Sequence, residues 1–344
     1  MKKFIFSSMT IIIAAVLMVL LPASRAQAAK YNFKLAHEEV PGSFMDVVAE
    51  KFQKALAKNS NGKIHLDIYP AGTLGTSEDL VELVQQGAID FNFADAGHLG
   101  SLIAEQQIFL LHYFFPKDME VVKEVMNKGD VMKLLAEEFR KQNLEPLATF
   151  TEGWQIWTSN TPLRTPADFN GFKMRVMTSK LLVADYSAYG ANATATPFSE
   201  VYSGLQLKMI DGQVNPLLAI SDMKFYEVQE YLTFSYCNPF IFTMITNKKK
   251  IESLPEDIRK IVEDSAQEIV PFSFDYQTRV NQKELKNMLK EKPSLKVIKL
   301  TQDEIDAFKK LARPVRQVYL DMVGKTGEKV LKTLENDIEE AMKK

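Results

Sequence analysis

The 344-residue chain balances 42 basic against 44 acidic residues and contains one cysteine, Cys237. That balance excludes the basic footprint of a nucleic-acid-binding protein. A lone cysteine excludes an intrachain disulfide and a multi-cysteine zinc site.

The first 28 residues read as a secretory leader. Lys2 and Lys3 supply the positive start, Phe4–Leu21 is largely apolar, and Ala26-Gln27-Ala28 has the small-x-small form of a cleavage site. Cleavage near Ala28 removes Lys2, Lys3 and Arg25 and takes the formal charge from −2 to −5. No later stretch approaches the ~18 apolar residues of a spanning helix. The expectation is a soluble, unanchored periplasmic protein whose remaining 316 residues suffice for two domains. An acidic protein that captures an anion needs a local cation, which makes individual arginines informative.

In chain order, Tyr31–His37 alternates as a strand and Phe44–Lys58 has helical apolar spacing. Asn61-Gly62 closes the helix, and Lys63–Tyr69 alternates again. Thr76-Ser77-Glu78-Asp79 is a capping box before a helix ending at Gly87. Ile89–Ala94 reads as a third strand, Met119–Lys141 as helix, and Leu144–Phe150 as strand, with a first crossover between lobes near Glu152-Gly153. Such alternation predicts an α/β architecture. Beyond it come a helix over Ser179–Tyr189, a short helix over Ser199–Leu207, a helix over Pro216–Glu230 and a strand over Tyr231–Ser235. Pro239–Asn247 is apolar and reads as the second crossover. Pro255–Lys290 keeps helical periodicity long enough to brace two lobes, and Leu295–Leu300 is a strand before C-terminal helices.

The stretch Thr165–Pro216 draws the most interest. In Phe172-Lys173-Met174-Arg175-Val176, Lys173 and Arg175 point away from the apolar face. Arg175 near its start and Asn215 at its end suggest two edges of one polar pocket. His37 and Glu38, at the end of the first strand, sit where strand C-termini meet ligands in α/β sheets. The motifs of known catalysts are missing. No His pair has metal-ligand spacing, no G-x-S-x-G is present, and Gly72-Thr73-Leu74-Gly75 lacks the Lys-Ser/Thr of a phosphate loop.

Several motifs, in order and spacing, carry a resemblance: N-G-K-I-x-L-x-I-Y-P-A-G-T-L-G (61–75), Q-G-A-I-D-F (86–91), L-R-T-P-A-D-F-N-G-F-K-M-R-V (163–176), F-S-E-V-Y-S-G-L-Q (198–206), D-G-Q-V-N-P (211–216) and F-Y-E-V-Q-E-Y-L-T (225–233). With them the whole chain after the leader resembles the solute-binding proteins of TRAP transporters (tripartite ATP-independent periplasmic), the family that includes the dicarboxylate-binding proteins. The resemblance implies a two-lobed Venus-flytrap fold with crossover strands and a long bracing helix. Lobe I is expected over 29–152 plus 241–280, and lobe II over 153–240 plus 281–344. It implies a non-enzyme that needs no metal or cofactor and hands a small organic anion to small and large membrane subunits. Arg175 would form a bidentate salt bridge to the ligand, Asn215 would face the same headgroup, Phe198 would line the pocket, and Asp95 would contribute from the opposite lobe.

Two departures bear on the ligand. Relatives often carry a second Arg where Gln155 stands, and Glu where Val214 stands. Losing a cation favours one main anionic head, a monocarboxylate or a sulfonate, over a four-carbon dicarboxylate. Trp154 and Trp157 flank Gln155 as a candidate apolar or cation-binding wall, with core packing as the alternative. Turn, core and surface roles stay open for Asn215, Phe198, Asp95, His37 and Glu38. A secreted α/β enzyme acting on a similar acid and a receptor coupled to a membrane sensor are the competing functions.

Overall fold

The computed structural model describes residues 29–344, so the leader lies outside the described residues. Lobe I begins with β1 (Tyr31–Ala36), β2 (Ile64–Tyr69) and β3 (Phe91–Asp95). β4 (Leu144–Ser159) links the lobes, and lobe II adds β5 (Lys173–Val176), β6 (Asn192–Ala195), β7 (Gly212–Pro216) and β8 (Tyr231–Phe234). β9 (Pro239–Asn247) returns to lobe I, and β10 (Lys296–Lys299) pairs with β8. The strand order is β2-β1-β3-β9-β4-β7-β5-β6, with β8 also on β4. β1 runs parallel to β2 and β3, as strand–helix–strand crossovers require, while β4 and β9 are antiparallel partners.

β4 is the link between lobes. Up to Trp154 it pairs with β9, and from Gln155 to Ser159 it pairs with β7. The register slips between Thr151 and Gly153, and Gly153 adopts φ +116°, closed to most side-chain-bearing residues. A Cβ there would meet Gln277 Oε1 at 3.0 Å, so glycine also lets the strand pass close under the 36-residue helix Glu256–Glu291. That helix packs on Phe44–Asn59 of lobe I, on β4, and on Leu217–Asp222 of lobe II, and therefore braces both halves. It continues through Pro271, which is exposed.

Three expectations change. The helix expected over Met119–Lys141 is two, Met119–Lys128 and Asp130–Lys141, parted at Gly129. The helix expected over Pro216–Glu230 stops at Asp222, because Lys224 takes a left-handed φ of +59° and the chain turns into a 3-10 segment, Phe225–Val228. The tail 281–344 divides, with β10 staying on β8 of lobe II and the last helix crossing back. The helix Lys325–Ala341 packs on Met119–Lys128 and Asp130–Lys141 of lobe I, burying Val330, Leu334 and Ile338.

Candidate functional site

The cleft between the lobes is lined by Glu38, Thr76, Ser77 and Glu78 on one side and by Pro197, Phe198 and Met223 on the other, around a cavity of about 110 Å³. Strand ends and helix starts supply these groups. Glu38 follows β1, Asp95 ends β3, and the Thr76/Asp79 capping box fixes the turn carrying Ser77 and Glu78. Asp95 is the N-cap of Ala96–Leu99 and accepts from the Gly97 and His98 amides at 2.6 and 3.2 Å. Across the cleft, β5 and β7 are in register at Arg175 and Gln213, which puts Arg175, Gln213 and Asn215 on one face of the sheet.

Arg175 is 1% exposed. Its Nε and Nη2 donate to the Thr196 carbonyl at 2.9 and 2.7 Å, and Nη1 has no partner among the described residues. Burial lowers its pKa to about 10, against the pull of Glu38, Asp95 and Glu78, so it stays a cation at neutral pH. The opposing wall is acidic. Glu38 accepts a hydrogen bond from Ser77 Oγ, and Asp95 is paired with the His98 ring. His98 Nδ1 is 3.7 Å from Glu38, and its Nε2 is 3.7 Å from Glu78.

Burial opposes a charge on His98, but Asp95, Glu38 and Glu78 outweigh it and raise the pKa to about 9. Burial likewise works against the Asp95 carboxylate, yet His98 and the two amides hold it below its ordinary value. For Glu38 burial dominates, and its pKa rises despite His98 and Arg175. Glu38, Asp95 and His98 bring donor atoms within 4.8 Å of one another. Those donors are already engaged with Ser77, with one another and with backbone amides. The set reads as an ion-paired wall facing Arg175, not as a metal centre.

The expected residues distribute unevenly. Glu38 and Phe198 line the cavity, with Phe198 half-buried and edge-on to Phe225. Asp95 and Arg175 face each other electrostatically from the two lobes. Asn215 is buried and donates to Gln213 Oε1 at 2.5 Å. Gln155 is fully buried with neither amide atom bonded to a described residue, and its register partner is Pro216.

His37 is engaged inside lobe I. Its Nε2 lies 3.3 Å from Asp46, and its Nδ1 accepts from the Glu39 amide at 3.4 Å. Trp154 packs edge-on against Tyr236, whose ring sits 3.5 Å from Lys117 Nζ. Trp157 is a core residue: it is fully buried, donates to Tyr186 Oη at 2.8 Å, and packs on Phe169 and Phe308.

Residue reading passed over His98, Glu78, Ser77 and Thr196. Asp95 and His98 at i and i+3 straight after a strand were the available signal for the first. Thr196 contributes through its backbone carbonyl, which a side-chain pattern does not register.

A two-lobed α/β chain with a strand-borne arginine buried in the cleft is the architecture of an extracytoplasmic solute receptor. Residues 35–321 match the model of the bacterial extracellular solute-binding protein family 7, and the chain belongs to that family, the solute receptors of TRAP transporters. It is 35% identical over 320 residues to the ectoine/5-hydroxyectoine-binding periplasmic protein of Ruegeria pomeroyi, covering 92% of each chain. The ectoine-binding protein of Halomonas elongata superposes with a TM-score of 0.87 at 32% identity, over 90% of this chain and 99% of that one. A receptor from Desulfovibrio salexigens with bound orotic acid gives 0.86 at 31%, over 91% and 100%. The family's members bind small organic solutes for transport. No described helix is long and apolar enough to cross a membrane.

Proposed function

We infer that the ligand is a small organic acid with one carboxylate and a cationic or hydrogen-bond-donating group, held between Arg175 and the acidic wall. The carrying observation is that a buried arginine with a spare Nη1 is coupled electrostatically to Glu38, Asp95 and Glu78, two of which, Glu38 and Glu78, line a cavity of about 110 Å³. Arg175 and His98 face three carboxyl groups, Glu38, Asp95 and Glu78, so the site has no surplus of positive charge for a dianion. Gln155 adds none. A zwitterion meets both walls: its carboxylate takes Arg175, and its cationic end takes Glu38. Ectoine, a cyclic amidinium carboxylate, has this pattern, and the relatives named for it support the reading. A sulfonate without a cationic group would satisfy Arg175 but leave the acidic wall unmatched.

A single charge-assisted bond contributes about 1.5–3 kcal/mol. Micromolar affinity needs about 8 kcal/mol, so closure over Phe198 and the acidic wall supplies most of it. The solute would then pass to the small and large membrane subunits of the transporter.

The test is a thermal-shift screen of the purified mature chain with ectoine, 5-hydroxyectoine, orotate, succinate and ethanesulfonate. Ectoine-like zwitterions should raise the melting temperature most, and Glu38→Gln should reduce that shift more than any shift with orotate. A larger shift with succinate than with any zwitterion would overturn the ligand assignment and leave the family assignment intact.

A further inference from the structure

A row of buried polar side chains crosses lobe II behind Asn215. Thr158 on β4 and Arg175 on β5 are both register partners of Gln213 on β7, so the three side chains leave one face of the sheet. Asn215 joins them two residues further along β7, nearer the C-terminal end of that strand, where ligands meet an α/β sheet. Thr158, Gln213 and Gln229 are fully buried, and Asn215 is nearly so.

Four hydrogen bonds join these groups, and all run in one direction. Asn215 Nδ2 donates to Gln213 Oε1 at 2.5 Å, and Gln213 Nε2 donates to Thr158 Oγ1 at 3.1 Å. Thr158 Oγ1 donates to Gln229 Oε1 at 2.9 Å, and Gln229 Nε2 donates to the Val228 carbonyl at 3.1 Å.

That direction is set from the far end. A backbone carbonyl only accepts, so Gln229 turns its nitrogen to Val228 and its oxygen to Thr158. The single hydroxyl proton of Thr158 goes to Gln229, so Thr158 accepts from the nitrogen of Gln213. Gln213 then turns its oxygen to Asn215, which meets it with Nδ2 and points Oδ1 away. Reversing any one amide would set two oxygens or two N–H groups against each other in a buried site. The far end is itself anchored. Lys292, directly after the brace helix, donates from Nζ to the Gln229 carbonyl at 2.9 Å and to the Glu227 carbonyl at 3.1 Å.

We propose that Gln213, Thr158 and Gln229 are positioning residues that fix the polarity of Asn215, so that its Oδ1 is the acceptor offered beside Arg175. The receptor then selects acids with an N–H or O–H on the carbon that carries the carboxylate. This rests on the reading that a solute carboxylate lies on Arg175, and it adds what that carboxylate's neighbour must be. Ectoine has an amidinium N–H on that carbon, and a second that stays free for Glu38. A 2-oxo acid places an acceptor there, against Oδ1.

The test has two arms. Neutron diffraction from deuterium-exchanged crystals of the solute-free mature chain reads the amide polarity directly. It should show deuterium on Asn215 between Nδ2 and Gln213 Oε1, and the opposite polarity at Asn215 would overturn the proposal. Calorimetry then compares lactate with pyruvate and 2-hydroxyglutarate with 2-oxoglutarate, each pair differing only in a hydroxyl or a keto group. The hydroxy acid should bind about tenfold tighter or better. Thr158→Val breaks the relay without touching solute, frees Gln213 and Asn215 to turn over, and should bring the pair within about threefold, while Thr158→Ser should keep the preference. The ratio is taken within one protein, so a smaller folded fraction does not move it. If neither pair binds, ectoine carries the comparison: Thr158→Val should weaken it about tenfold and Thr158→Ser less than about threefold. A keto acid bound as tightly as its hydroxy partner, or a preference or ectoine affinity that Thr158→Val leaves intact, would overturn the proposal. Succinate favoured over every zwitterion would overturn the ligand reading alone, because the hydroxy-to-keto ratio still tests the relay.

Discussion

Arg175 is clamped to the carbonyl of Thr196 through Nε and Nη2, at 2.9 and 2.7 Å, so one edge of its guanidinium is spent inside lobe II. Nη1 has no partner among the described residues, and on the proposed function it and the second N–H of Nη2 are the edge that a ligand meets. The clamp fixes the plane of the fork before any solute arrives, which lowers the cost of binding.

Position should therefore matter more than charge. Arg175→Lys keeps a cation but cannot hold Thr196 and a carboxylate together. By calorimetry with ectoine it should bind at least 100-fold more weakly than the parent, about as badly as Arg175→Ala. A lysine variant within tenfold of the parent would remove the geometric argument.

The His98–Asp95 pair makes stability pH-dependent. The folded pKa of His98, about 9, lies above the ordinary histidine value of 6.5. The stabilisation it adds is thus fully present below pH 6.5 and is lost as pH rises through about 9. Counted once for the pair, it is on the order of 3 kcal/mol. Melting temperature should fall between pH 6.5 and 9.5. His98→Asn should lower it at pH 6.5 and flatten that slope, and an unaltered slope in the variant would refute the assignment.

Trp157 separates core from cleft. Trp157→Phe removes the hydrogen bond to Tyr186 and leaves a void among Phe169 and Phe308. It should cost about 1–3 kcal/mol of stability in urea titrations, with ectoine affinity unchanged within about threefold at temperatures where the variant is folded. A large loss of affinity with little loss of stability would return Trp157 to the ligand wall.

Gln155 tests the charge of the site. Gln155→Arg adds a buried cation where the parent has an amide without described partners. The variant should gain succinate binding relative to the parent and lose preference for zwitterions, as read by thermal shift across both solute classes. An unchanged order of preference would show that this position does not set anion charge.

Local signals survived folding where local physics decides. The capping box read at Thr76 is formed, because it closes within four residues. The long helix Glu256–Glu291 was legible from periodicity alone. The failures came where a backbone turn overrode periodicity, as at Lys224, or where a partner lay far away, as for the C-terminal helix that returns to lobe I.

For the site, the sequence by itself determined the family and the α/β alternation and marked Arg175 as a candidate anchor. Those features rest on residue order, and order is what a motif records. Only the tertiary structure decided that Arg175 faces Glu38, Asp95 and Glu78, that Asp95 pairs with His98, and that Trp157 is core. The surroundings of Arg175 and Trp157 join segments far apart in the chain. Whether a charge is free, paired or forced to keep its proton depends on the burial and neighbours that folding creates.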